Sequence, residues 1–145
     1  MPPQDYEHNE NFDRGVALRK EVLGEAHVER SLSRAAEDPF MQPIQQLTTE
    51  VGWGLVWARP GLPRNVRSML SIALLAALGK DEELQNHILG ALNNGVSKDE
   101  IREVLLYTTV YAGFPVGLKA FRTAKEFFDG HEAGDAATQD EEDVE

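Results

Sequence analysis

Apolar residues recur along this chain at spacings of three and four, and no stretch shows the alternation of two that marks a half-buried strand. Phe40, Ile44, Leu47, Val51 and Leu55 step by four, three, four and four, which predicts an amphipathic helix. Asp38-Pro39 stands before it as an N-cap followed by a proline at the first helical position. The segment W-G-L-V-W-A-R-P-G-L-P, residues 53–63, then forces a turn through its glycines and prolines. Pro63 opens a helix that is apolar on nearly every face through MLSIALLAAL and stops at Gly79. Asp81 caps the next, where Leu84, His87, Ile88, Ala91 and Leu92 share a face, and Asn94-Gly95 supplies a left-handed exit. Ser97 and Glu100 form a capping box for a third helix with Ile101, Val104, Leu105 and Thr108 inward.

The flanks are simpler. Residues 1–10 are polar, begin with two prolines after the methionine, and predict a loose arm. Asn11 is placed to cap a first helix carrying Phe12, Val16 and Leu23 and ending at Gly24, with a short second helix over His27 to Ala36. Tyr111 to Pro115 makes a sharp turn into a last helix with Leu118, Phe121, Ala124 and Phe128 at helical spacing. From 130 to 145 the chain has no hydrophobic pattern and predicts a disordered acidic tail. The fold class is all-α, a single-domain bundle of six or seven helices over residues 11–129.

Charge changes this picture little. The 145 residues carry a net −11, but residues 131–145 hold seven acids and no Lys or Arg, leaving 18 acids against 14 Lys and Arg, a net −4, for the rest. No basic face is present for phosphate, which argues against nucleic acid. Cysteine is absent, so disulfides, thiolate metal sites and thiol redox cycles are excluded. No signal sequence is seen and the longest apolar run is about half a membrane span, so no membrane role and a cytoplasmic protein are expected.

The candidate chemistry centres on His87, which takes an apolar position with Glu83 one turn before it. Two readings stand: a core histidine satisfied by a carbonyl or by Glu83, or a buried acid/base group whose protonation is set by burial and by that carboxylate. Trp53 and Trp57, four apart, stack along one face as a hydrophobic wall, a subunit contact or a substrate platform. Arg59, Arg64 and Arg67 cluster just after them, as partners for the protein's own carboxylates or as a clamp on a substrate's.

The stretches RKEVLGEAHVERSL (19–32), WGLVWARPGLPRNVRSMLSIALL (53–75), ELQNHILGALNNGVSKDEIREVL (83–105) and YAGFP (111–115) run in the order and spacing of one known family. On them the chain resembles the carboxymuconolactone decarboxylase family, over nearly all of Phe12 to Phe128. The resemblance implies an alkylhydroperoxidase-D-like fold. In the redox branch of that fold the histidine follows C-x-x-C; here Lys80 and Glu83 take the cysteine positions while His87 remains, which favours acid/base work.

The resemblance further implies a cofactor-free decarboxylase of 4-carboxymuconolactone in the protocatechuate branch of aromatic degradation, assembled as a homotrimer or homohexamer. The departing carboxylate of that substrate is conjugated through a ring alkene to the lactone carbonyl. The substrate is its own electron sink, and neither pyridoxal, thiamine nor a metal is required. The protein must hold the second carboxylate, stabilise an oxyanion and protonate a ring carbon. His87 with Glu83 is the expected acid, with Arg64, Arg67, Trp57 and Tyr111 expected at the substrate. Departures from the family pattern at Ala112 and Arg122 leave two alternatives open: a paralogue acting on another lactone or polyketide-derived acid, and a non-catalytic oligomeric module.

Overall fold

Helix-forming segments separated by four positive-φ glycines set the architecture. The computed structural model describes the backbone of residues 6–142 and the side chains of residues 6–135. Its elements are α1 (Glu10–Leu23), α2 (Glu25–Ala36), α3 (Gln42–Leu47), a π-helical segment (Thr48–Trp57), α4 (Arg64–Leu78), α5 (Asp81–Asn93), α6 (Lys98–Ala112) and α7 (Phe114–Glu142). The fold is all-α. Gly24, Gly79, Gly95 and Gly113 have φ of 93°, 71°, 84° and 104°, so each stop sits in a region that disfavours a Cβ. Both bonds of the Ser97 to Glu100 capping box are made, at 3.0 Å each.

Several boundaries differ from expectation. Asn9, not Asn11, caps α1 by accepting from Phe12 N at 2.9 Å. Asp38 caps a turn, accepting from Phe40 N, and the helix proper begins only at Gln42 with Pro43 in its first turn. Lys80 takes the cap position before α5, leaving Asp81 free to pair with Lys119 at 3.2 Å. Tyr6 to Asn9 of the expected loose arm are docked: the Tyr6 hydroxyl donates to Leu32 O at 2.6 Å and its ring stacks on Phe12. Burial pushes the Tyr6 phenol upward. At the other end α7 runs through Gly130 to Glu142, because one glycine costs only about 1 kcal/mol in a helix and the residues around it include Ala, Glu and Gln. Residues 1–5 of the arm and 143–145 of the tail lie outside the described residues.

The chain divides into two compact units, one of residues up to 67 together with 89–95, the other of 68–88 together with residues from 96 on. In the first, Leu18, Val22, Leu23, Val28 and Trp53 form the core. Two glycines allow α1 to lie directly on the π segment. A Cβ at Gly15 would overlap the Thr49 carbonyl oxygen, and one at Gly54 would overlap that of Asn11. The second unit buries Ile72, Leu84, Ile88, Ile101, Leu105, Ala124 and Phe128. There α6 and α7 meet where Gly117 lies against the Thr109 side chain.

The largest departure concerns faces. Phe40, Ile44, Leu47, Val51 and Leu55, the apolar stripe of the amphipathic pattern, are all exposed, Phe40 at 87%. So are Leu70, Leu74 and Leu78 of α4, the helix whose sequence is apolar on nearly every face, and Leu118 of α7. Periodicity shows that residues share a face but does not say what covers it. Among the aromatic residues Trp53 and Phe128 are buried, whereas Phe40, Tyr107, Tyr111 and Phe114 are exposed.

Candidate functional site

In the first unit, α1 and the end of the π segment leave a cavity of about 390 Å³ between them. From α1 it takes Arg14, Ala17, Leu18 and Glu21; from the π segment Trp57; from the following turn and α4 Ala58, Arg59, Leu62, Pro63 and Arg64. The wall is aromatic because Trp57 stacks on Trp53, with ring centroids 4.7 Å apart and planes 25° from parallel. The i→i+5 winding of a π-helix needs more residues for each turn than an α-helix, which brings positions four apart closer to eclipsed.

Three guanidinium groups line this cavity against one carboxylate, a balance of two positive charges that suits a small dianion. Arg64 pairs with Glu21 at 2.7 Å, half-exposed, so a surface bond of this kind is worth about 0–1 kcal/mol and yields to a competing carboxylate. Arg14 is held by Gly54 O at 2.9 Å and by Asn11 at 2.5 Å. Arg59 makes no ion pair among the described residues.

Of the residues expected from sequence, Trp57 and Arg64 come together in this cavity. Arg67 turns elsewhere, its Nη2 donating to the Arg59 carbonyl at 3.0 Å, so that it shapes the turn that presents Arg59. Arg14, Leu18 and Glu21 were not foreseen. Their spacing of four and three on α1 is the signal that could have found them.

The second unit holds the other three. His87 is half-buried on α5, between the fully buried Leu84 and Ile88. Glu83 is exposed and takes part in no ion pair among the described residues. Tyr111 is 76% exposed near the end of α6, its ring 5.0 Å from that of Tyr107. The hydrogen bond to Tyr111, then its charge, raises the Tyr107 phenol above the ordinary tyrosine range. A smaller cavity of about 190 Å³ lies here over Ile101, Leu105, Phe121 and Phe128. Its cations are already matched, Lys98 by Glu132 at 2.6 Å, Arg102 by Asp99 at 3.2 Å and Lys125 by Asp129, so it offers less to an anion than the first.

Among the described residues no helix is long and apolar enough to cross a membrane. The family model described as "Carboxymuconolactone decarboxylase family" matches residues 42–126. The chain is 44% identical over 119 residues to the 4-carboxymuconolactone decarboxylase of Acinetobacter baylyi, covering 82% of this chain and 87% of that one. It is also 46% identical over 113 residues to a nitrosuccinic acid decarboxylase of Metarhizium robertsii, covering 78% of each.

Proposed function

Because the chain belongs to the carboxymuconolactone decarboxylase family, we propose that it is a carboxy-lyase converting 4-carboxymuconolactone to 3-oxoadipate enol-lactone in the cytoplasm, in the protocatechuate branch of aromatic degradation. What supports this reading most directly is the cavity that sets Trp57 beside Arg14, Arg59 and Arg64. A flat, doubly charged ring needs that combination: an aromatic face for the ring and guanidinium forks for oxygens.

The chemistry follows from the substrate. The carbon–carbon bond to the departing carboxylate breaks, carbon dioxide leaves, and the electron pair moves through the ring alkene to the lactone carbonyl oxygen. Arg64, with Arg59, binds the retained carboxylate and offsets the charge that develops on oxygen. The ring carbon α to the carbonyl takes up a proton, for which the family resemblance makes His87 the expected donor, and the dienolate becomes the enol-lactone. No step calls for an external electron sink. Nitrosuccinic acid, the substrate in the second relative's name, is likewise a small dicarboxylate. There the nitro oxygens can take the electron pair, so a paralogue acting on another small acid of this kind is the second reading.

The test is direct. Purified protein given 4-carboxymuconolactone without added metal or cofactor is expected to release carbon dioxide faster than with nitrosuccinate. Arg64→Ala is expected to raise KM by about 10- to 100-fold, the cost of about 1.5–3 kcal/mol for a charge-assisted bond, with a smaller change in kcat. Faster turnover of nitrosuccinate would transfer the assignment to the second reading, and no turnover of either would remove both.

Assembly as a homotrimer or homohexamer belongs to the same proposal. Leu70, Leu74 and Leu78 expose one side chain per turn of α4, and Val110, Tyr111 and Phe114 are each about three-quarters exposed. Apolar stripes of that extent mark interaction surfaces on soluble proteins. Light scattering at micromolar concentration is expected to give a multiple of the 16.1 kDa chain mass, and Leu74→Glu to lower it. A monomer mass for the unsubstituted protein would end this part of the proposal.

A further inference from the structure

Arg19 is the one arginine buried in the core of the first unit, 6% exposed on the inward face of α1 beside Leu18 and Val22. An apolar side chain would occupy that position at less cost, since a buried cation loses its water and needs compensation. Here the compensation is neutral. Its Nη1 donates to Gln45 Oε1 at 2.8 Å and to Thr49 Oγ1 at 3.4 Å, while its Nε has no hydrogen-bond partner among the described residues. Burial accordingly lowers the Arg19 pKa.

The two acceptors lie on either side of a junction. Gln45 belongs to α3 and Thr49 to the first turn of the π segment, so the guanidinium spans the point where the winding changes. Thr49 and Gly54 are an i, i+5 pair, and both main chains lie against Gly15 of α1. Arg14, five residues before Arg19 on the same helix, holds Gly54 O at 2.9 Å. The segment is thus gripped by α1 at its entry and at its middle. Its far end carries Trp57, and Trp57 faces the cavity whose opposite wall is α1 itself.

We propose that Arg19 is a positioning residue for the cavity wall: by bridging Gln45 and Thr49 it fixes the π winding that stacks Trp57 on Trp53. Its effect on turnover rests on the reading of that cavity as the substrate site, but its effect on the indoles does not. The chain has only these two tryptophans, so the exciton couplet of stacked indoles in the circular dichroism spectrum reports on them alone.

Arg19→Met keeps an unbranched apolar stem while removing the donors. It is expected to lose most of the couplet and to raise KM about tenfold, with kcat within about twofold, since the wall is displaced and the chemistry is not. Arg19→Lys is expected to recover part of both. If the methionine variant does not fold, Gln45→Leu removes the shorter bond while leaving the arginine, and a weakened couplet is again expected. A full couplet in folded Arg19→Met or Gln45→Leu protein would overturn the proposal. A lost couplet with unchanged KM would uphold the positioning role and remove the cavity as the substrate site.

Discussion

Alanine in place of His87 is expected to lower the rate of decarboxylation about 10²- to 10⁴-fold, the share of a positioned general acid. The imidazole sits half-buried on α5, on the face that also buries Leu84, Ile88 and Ala91. Removing a half-buried ring leaves the helix intact, so the far-ultraviolet circular dichroism of the variant should match the parent. The loss should then fall on kcat, because carbon protonation occurs after binding. Added imidazole is expected to restore part of the rate if a proton is what is missing. Glu83→Gln provides the contrast. That carboxylate is exposed, and its replacement is expected to cost far less than loss of the ring. Near-normal turnover in folded His87→Ala protein would make the histidine a packing residue and move the proton to another group.

The histidine was legible because it interrupts an apolar face, and the helix ends were legible because glycine is the residue that tolerates positive φ. Ser97 and Glu100 announced α6 for a similar reason, since both capping partners are encoded within four positions. What the pattern could not carry was long-range. The stripe from Phe40 to Leu55 has helical spacing whether the face meets a core or solvent, and it meets solvent in the single chain. Nor does any local signal encode π winding. Trp53 and Trp57 predict a stack on either kind of helix, while the features that accompany the winding, Arg19 and Gly15, lie more than 25 residues away on α1. The cavity follows the same rule. Its arginines near residue 60 could be read from the sequence, whereas its α1 wall became visible only when two distant segments were brought together.

Gly15→Ala is expected to be among the most damaging single-methyl changes this chain can undergo. On helix propensity alone the substitution should stabilise α1 by about 1 kcal/mol. The tertiary contact has the opposite sign. The new Cβ would overlap the Thr49 carbonyl oxygen and stand 3.0 Å from Gly54 N, so it would wedge between the two main-chain groups of an i, i+5 pair. Backbone cannot rotate away as a flexible side chain can, and overpacking of this kind costs about 1–3 kcal/mol or more. A separated rung adds an unsatisfied buried carbonyl or amide, about 1–3 kcal/mol further. The clash therefore outweighs propensity, leaving a net loss of about 2–4 kcal/mol. For a chain of this length that corresponds to a fall in Tm of roughly 5–15 °C at fixed protein concentration. Gly130→Ala is the control, because nothing lies within 4 Å of the Cβ it would add to α7. It is expected to leave Tm unchanged or slightly raised, since propensity then acts alone. If thermal denaturation showed the two variants moving together, α1 and the π segment would not be in the close backbone contact described.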